Sequence, residues 1–111
     1  MNTRATSYRP SAPAMIDLAP ADLATVKRLL AAHVPECEVR AFGSRVSGGA
    51  RPYSDLDLAL VGTERMPIQR LFRLKEAFQD STLPIRVDVI DWQAASAGFR
   101  EAVGSRYELI Q

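Results

Sequence analysis

Residues 41–60 read AFGSRVSGGARPYSDLDLAL, a stretch that joins a glycine-serine turn to two closely spaced aspartates. A strand alternates its faces and rises about 3.3 Å per residue, so Asp55 and Asp57 would share one face roughly 6 to 7 Å apart. The leucines between and after them would point to the opposite face. The spacing therefore predicts a strand that buries its leucines and presents paired carboxylates.

Paired carboxylates in a cleft favour a compensating cation, because like charges about 4 Å apart repel by about 4 kcal/mol at an effective dielectric near 20. Oxygen ligands favour hard divalent metals, and Mg²⁺ is commonly shared between carboxylates, waters and nucleotide phosphates. A third carboxylate would allow two metal ions. Asp88, in LPIRVDVIDW, is the candidate because it alternates with valines on a predicted neighbouring strand. Asp91 would fall on the opposite face and is the weaker candidate.

The turn before the aspartates has the residues of a phosphate-binding turn. Gly43 would let a phosphate approach closely, the amides after it could open a short helix, and the Ser44 hydroxyl adds a donor. The segment lacks the GK[ST] ending of a Walker A loop. For Arg45 and Arg51, steering of a triphosphate and pairing with a surface carboxylate both stay open.

At these residues the chain resembles the DNA polymerase beta-like nucleotidyltransferase superfamily, whose pattern is a Gly-Ser turn, an Asp-x-Asp strand and a later strand aspartate. The compact form GSR, then G, AR and SDxDL, is similar to the minimal nucleotidyltransferases, called MNT proteins. The matching residues are Gly43, Ser44, Arg45, Gly48, Ala50, Arg51, Pro52, Ser54, Asp55, Asp57 and Leu58. The chain departs at Ser47, where many relatives carry a basic residue, and Gly49 is smaller than is common there.

The resemblance implies a magnesium-dependent enzyme that transfers AMP from ATP to a hydroxyl and releases pyrophosphate. Asp55, Asp57 and Asp88 would bind two Mg²⁺ ions, and Asp88 would also favour deprotonation of the acceptor. The nucleotide would be held by Gly43, Ser44, Arg45, Arg51 and Ser54. MNT proteins are commonly paired with HEPN-domain ribonuclease toxins, which implies an antitoxin that adenylylates (AMPylates) its partner, with a tyrosine as the expected acceptor, in a hetero-oligomer.

Two other functions remain open from the sequence. One is transfer to a small molecule such as an aminoglycoside, or to an RNA end, although the chain lacks the additional helical structure usual in antibiotic-modifying relatives. The other is a non-catalytic antitoxin that neutralises its partner by contact. The formal net charge of +1, from 14 basic and 13 acidic residues, indicates no extended surface for nucleic acid.

Composition and cysteine usage bound the class of protein. A chain of 111 residues, 47% hydrophobic and 24% charged, fits one globular domain. The single cysteine, Cys37, cannot form an internal disulfide, and no apolar run approaches the ~20 residues of a membrane span. We therefore expect a cytoplasmic protein without a membrane segment.

Apolar spacing and turn residues predict the order of elements. Residues 1–19 are expected to form a flexible arm, and residues 20–111 the nucleotidyltransferase domain. Helices are expected from Pro20 to about Val34 and from Pro67 to about Asp80. The predicted strands are CEVRAFG, DLDLALVG and PIRVDVID, followed by a short final helix whose Phe99, Val103 and Tyr107 pack on the sheet, and by exposed-looking Leu109 and Ile110. The expected fold is α/β (α+β), with a small mixed sheet, helices on one face and the site on the open face.

Overall fold

The computed structural model of the chain describes residues 16–111. Its helices are α1 (Pro20–His33), α2 (Ser44–Ser47), α3 (Ile68–Gln79) and α4 (Ala97–Gly104). Its strands are β1 (Glu38–Phe42), β2 (Leu56–Val61), β3 (Val87–Asp91) and β4 (Glu108–Leu109), and a 3-10 turn (Trp92–Ala94) follows β3. The α/β class and the two long helices expected from the sequence are confirmed.

The four strands form one mixed sheet in the order β3-β2-β1-β4. Strand β1 runs antiparallel to both β2 and β4, whereas β2 and β3 are parallel. Parallel neighbours need a crossover connection, and α3 supplies it. The strand that follows Asp55 therefore lies inside the sheet, and β3 lies at an edge.

One face of the sheet is buried against α1 and α3. The leucines of β2 alternate onto this face and, with Val39 and Ala41 of β1, are fully buried. The helices contribute Val26, Leu30, Leu74 and Phe78 to the same core. Burial of each large aliphatic side chain contributes about 1.5 to 3 kcal/mol, and a slip of one residue would turn this set to solvent. The leucines thus fix the register that places Asp57 on the other face.

The second face is partly covered by aromatic contacts. Phe42 of β1 meets Phe99 of α4 edge to face, with ring centroids 5.6 Å apart. The Arg40 guanidinium lies 4.7 Å from the ring centroid of Trp92 and 4.5 Å from that of Tyr107. The packing of Phe99 and Tyr107 against the sheet was expected, and Asp57 lies on the same face beside Phe42, its register partner.

The opposite end of the sheet is held by polar contacts. Arg70 of α3 donates to both carboxylate oxygens of Glu36, and this hydrogen bonding lowers the pKa of Glu36 to about 2. Asp91, 6% exposed, accepts from the amides of Met66 at 2.8 Å and Gln93 at 3.2 Å. Asp91 is therefore a buried capping group, in keeping with its place as the weaker metal-ligand candidate.

The packed chain extends further toward the N-terminus than expected. Residues 1–15 lie outside the described part of the chain, so only the end of the arm predicted over residues 1–19 can be compared. Ile16 is buried in the core, and the Asp17 amide donates to the Arg45 carbonyl at 2.7 Å. Residues 16 and 17 of the predicted arm therefore pack on the domain, although so short an apolar segment shows no period in the sequence; the domain boundary at residue 20 stays a prediction.

The C-terminal residues also differ from expectation. Leu109 is 54% exposed, as expected, but Ile110 is only 6% exposed and belongs to the core. The Ile110 amide donates to the Val39 carbonyl at 2.9 Å, which continues the pairing of β4 with β1. The exposure expected for Ile110 was wrong because this long-range pairing turns its side chain inward. No helix within residues 16–111 is long and apolar enough to span a membrane.

Candidate active site

Strand register places two of the predicted carboxylates side by side. Asp57 is the register partner of Asp88 in the parallel pair β2–β3, and of Phe42 in the antiparallel pair β1–β2. Neighbouring strands lie about 4.8 Å apart, and register partners project from the same face of the sheet. Asp55 precedes the first residue of β2 and lies on the loop that enters the strand.

The charges of these carboxylates act on one another. Burial raises the pKa of Asp57 most, and the charges of Asp88 and then Asp55 raise it further. Each of these causes disfavours the ionised form, so the site would gain stability from a cation. Carboxylate oxygens are ligands that Mg²⁺ prefers. The donor set therefore fits the predicted metal.

The carboxylates do not form a complete metal-binding site in the observed conformation. Within residues 16–111, the observed conformation contains no group of three or more His, Cys, Asp or Glu side chains that could hold a metal ion. Asp55, on the loop, is the member that lies outside the paired strands. The assignment of Asp55, Asp57 and Asp88 as metal ligands stays a prediction, supported by the register and by the mutual effect on the Asp57 pKa.

Gly43 packs directly against the central carboxylate. Its φ is +81°, and a Cβ built on it would lie 2.3 Å from Oδ2 of Asp57. The Gly43 carbonyl accepts from the amides of Val46 at 3.0 Å and Ser47 at 2.9 Å, which begins α2. The Ser44 amide lies ahead of these first hydrogen bonds of the helix, where exposed amides attract anions. The turn therefore meets the carboxylates at the point where a bound phosphate is expected.

Arg45 is turned inward, with 7% of its surface exposed. Its guanidinium donates to four carbonyl oxygens, those of Asp17 (2.6 Å), Ser54 (3.0 Å), Pro52 (3.1 Å) and Arg51 (3.3 Å). These contacts are with the backbone, so the observed conformation shows no pairing with a surface carboxylate. They fix the loop over residues 51–54, which leads to Asp55 and β2. Direct contact of Arg45 with a triphosphate stays a prediction.

The same loop contains the two other residues assigned to the nucleotide. The Ser54 hydroxyl accepts from the Arg51 amide at 2.8 Å, and the Ser54 amide donates to the Arg51 carbonyl at 3.0 Å. The Arg51 side chain is exposed, and Tyr53 beside it is 87% exposed. Ser54 thus closes a turn, and the contacts of Arg51 and Ser54 with a nucleotide stay predictions.

A cavity beside the turn contains residues that the sequence analysis did not select. It has a volume of about 340 Å³ and is lined by Gly43 and Ser47, by the Phe42–Phe99 pair, and by Arg106. No local pattern joins Arg106 to the turn, because the two segments meet only through the packing of α4 on the sheet. Arg106 and Gly43 thus line one cavity.

Loss of the Arg45 guanidinium is expected to destabilise the fold. Arg45→Ala should lower the free energy of unfolding by about 1 to 3 kcal/mol, since four carbonyls in part-buried hydrogen bonds would lose their charged donor. Arg45→Lys should restore little, because an ammonium cannot reproduce the planar fork. Urea unfolding measures both, with Arg73→Ala on the exposed face of α3 as the control. Equal stability of Arg45→Ala and the control would contradict this role.

The raised pKa of Asp57 predicts a pH-dependent gain in stability for Asp57→Asn. The folded-state pKa lies above the ordinary value of 3.8, so the favourable contribution of this group is present below that value and is lost as pH rises through the folded pKa. In chelator and without nucleotide, Asp57→Asn should melt above the wild type at pH 7 and together with it in acid. A lower melting temperature at pH 7 would contradict the electrostatic account.

The site combines a turn of the phosphate-binding type with two aspartates on parallel neighbouring strands. The turn packs on the aspartate of the inner strand. This is the architecture of a nucleotidyltransferase domain. The family described as "Polymerase beta, Nucleotidyltransferase" matches residues 26–111, and the chain belongs to this family. It is similar to the "Probable protein adenylyltransferase MntA" of Haemophilus influenzae, with 48% identity over 98 residues that cover 88% of this chain and 86% of the relative. The membership expected from the motif is confirmed.

Solved structures show the same fold. A chain of the "Crystal structure of the toxin-antitoxin with AMP-PNP" superposes with a TM-score of 0.69 and 22% identity, covering 80% of this chain and 72% of that one. A chain of a complex described as "tri-AMPylated Shewanella oneidensis HEPN toxin in complex with MNT antitoxin" has a TM-score of 0.62 and 21% identity, covering 82% of this chain and 70% of that one. At these identities the structures establish the fold.

Proposed function

We propose that this protein is a magnesium-dependent protein adenylyltransferase that transfers AMP from ATP to a hydroxyl group, expected to be a tyrosine, of a partner HEPN-type ribonuclease toxin, and so acts as its antitoxin in the cytoplasm. The observation that carries the proposal is Asp57, paired with Asp88 on one side and packed under Gly43 on the other. The relative at 48% identity bears the name of a protein adenylyltransferase, which supports the same reaction.

The reaction is a displacement at the α-phosphorus of ATP. The acceptor oxygen forms a bond to that phosphorus, and the bond from phosphorus to the oxygen bridging the β-phosphate breaks. Pyrophosphate leaves with the bridging oxygen, and the hydroxyl proton passes to the Asp88 carboxylate and then to solvent. Positioning and electrostatic stabilisation supply most of the rate enhancement in such transfers.

The residues of the chain divide this work by their positions. Asp55, Asp57 and Asp88 would hold the Mg²⁺ ions, which neutralise phosphate charge and make the acceptor hydroxyl more acidic when bound. The turn at Gly43 and Ser44 would hold the triphosphate through its amides and hydroxyl. With this arrangement the pyrophosphate would leave on the β1 side of Asp57.

The acceptor would approach from the opposite side. In-line displacement places the attacking oxygen opposite the leaving group. The side of Asp57 away from Gly43 is occupied by Asp88, which lies on the edge strand β3. An edge position allows another molecule to reach the carboxylate from beyond the sheet. This geometry favours an acceptor carried by a separate protein.

Labelled nucleotide distinguishes the proposed transfer from its alternatives. The protein is incubated with Mg²⁺ and a HEPN-type protein encoded beside it, once with ATP labelled at the α-phosphate and once with ATP labelled at the γ-phosphate. We expect the partner to retain only the α-label, because the γ-phosphate leaves in pyrophosphate. Retention of the γ-label would indicate phosphorylation, and tight binding with neither label retained would indicate an antitoxin that acts by contact; either result contradicts the proposal.

A further inference from the structure

We infer that Arg106 binds the β- and γ-phosphates of the nucleotide, a role that rests on the proposed function and adds a cation to the predicted Arg51 contact on the pyrophosphate side of the site. Arg106 follows α4, and its amide donates to the Val103 carbonyl at 3.1 Å. The residue is remote in sequence from the turn but lines the same cavity as Gly43 and Ser47.

The charge balance of the site calls for such a cation. The triphosphate adds its negative charges to those of Asp55, Asp57 and Asp88, and two divalent ions offset only four of roughly seven negative charges. Like charges brought together in a site that water reaches only in part repel one another. A positively charged side chain near the departing phosphates would balance the remainder and would stabilise the charge that develops on pyrophosphate.

The polar residues of α2 do not provide this charge. The Arg45 guanidinium donates its hydrogen bonds to four carbonyl oxygens. Ser47 is neutral, and its hydroxyl donates to the Gly43 carbonyl at 3.1 Å. The turn therefore offers amides and hydroxyls to the phosphates while its one arginine faces away.

Two other arginines on the same side of the molecule are also engaged. Arg40 lies between the rings of Trp92 and Tyr107. Arg100 donates to the carbonyls of Trp92 at 2.9 Å and Gln93 at 3.1 Å. The contacts of Arg40 join the sheet to the segment after β3, and those of Arg100 join α4 to the same segment, so neither side chain is available to the turn in this conformation.

Arg106 differs because it lines the cavity at the turn. Gly43 and Ser47 form one side of this cavity, and the Phe42–Phe99 pair forms an apolar wall. Among the residues that line the cavity, Arg106 is the charged one. An apolar wall strengthens a charge interaction beside it by excluding water. The cavity lies on the β1 side of Asp57, where the pyrophosphate would leave, so its cation suits the β- and γ-phosphates.

The test compares nucleotides that differ in phosphate number. Dissociation constants for ATP and AMP are measured by calorimetry with Mg²⁺, at one fixed ionic strength, for the wild type, Arg106→Ala, Arg106→Lys and Arg73→Ala. Arg106→Ala should weaken ATP binding about 10- to 100-fold, the value of charge-assisted hydrogen bonds, and leave AMP binding unchanged. The ATP affinity of Arg106→Lys should lie between those of the wild type and Arg106→Ala, since lysine keeps the positive charge but lacks the planar guanidinium. Arg73→Ala removes an exposed arginine of α3 and should bind both nucleotides as the wild type does.

The outcomes separate this inference from the proposed function. Equal losses for ATP and AMP, or no loss, in Arg106→Ala would overturn the phosphate contact, even if the wild type transfers AMP. A wild type that binds ATP through Arg106 but modifies no partner would uphold the contact and contradict the adenylyltransferase. Failure of the wild type to bind ATP with Mg²⁺ would overturn both.

Discussion

Asp57→Asn is expected to reduce AMP transfer by about 1,000-fold or more while the fold stays intact. Asp57 is the carboxylate that both features of the site share, because it pairs with Asp88 and supports Gly43. Asparagine keeps the shape and removes the charge that would hold the metal ions. The rate of partner modification with ATP and Mg²⁺ measures the loss.

A second carboxylate provides the matched control for this substitution. Asp80 is exposed where α3 ends, so Asp80→Asn makes the same chemical change away from the site and should leave the rate unchanged. Circular dichroism and a melting curve establish that Asp57→Asn is folded. Transfer by a folded Asp57→Asn protein at the wild-type rate would contradict the carboxylate mechanism.

Gly43→Ala is expected to reduce transfer by about 100-fold or more. A methyl group at this position would meet Oδ2 of Asp57 at 2.3 Å and Cγ at 3.2 Å, so the carboxylate or the turn must move. A misplacement of about 1 Å can cost about 100-fold in rate, because the reacting groups lose their alignment. The positive φ of Gly43 adds about 1 to 2 kcal/mol of backbone strain.

Gly49→Ala separates the two causes. Gly49 also has a positive φ, +83°, but a Cβ built on it meets nothing within 4 Å. Gly49→Ala should therefore share the loss of stability and keep most of the activity. Transfer rates normalised to the folded fraction test the difference. Equal rates for the two variants would show that strain in the loop, rather than contact with Asp57, decides the requirement for glycine.

The parts of the site that the sequence predicted are those encoded by short spacing. The alternation around Asp57 determined its face, and the glycine-serine turn determined where the strand before it ends. The proximity of Asp88 required only that its strand pair with β2 in phase, which the register confirms. Local patterns sufficed because each of these residues lies within a strand or turn whose buried neighbours fix its direction.

The parts that the sequence did not predict depend on contacts between distant segments. The inward turn of Arg45 depends on carbonyls from both sides of it in sequence, including that of Asp17. Ile110 is buried by a strand of two residues, too short to show alternation. Arg106 reaches the cavity through the packing of α4, so its place beside Gly43 follows from tertiary structure alone.

The intact mass of the partner protein tests the central claim most directly. The HEPN-type protein is incubated with this chain, ATP and Mg²⁺, and its mass is compared with that of a sample containing Asp57→Asn. We predict that the partner gains the mass of one or more AMP groups only with the wild type, and that peptide mapping places the gain on a tyrosine. A partner that binds the wild type tightly and keeps its mass would contradict the account.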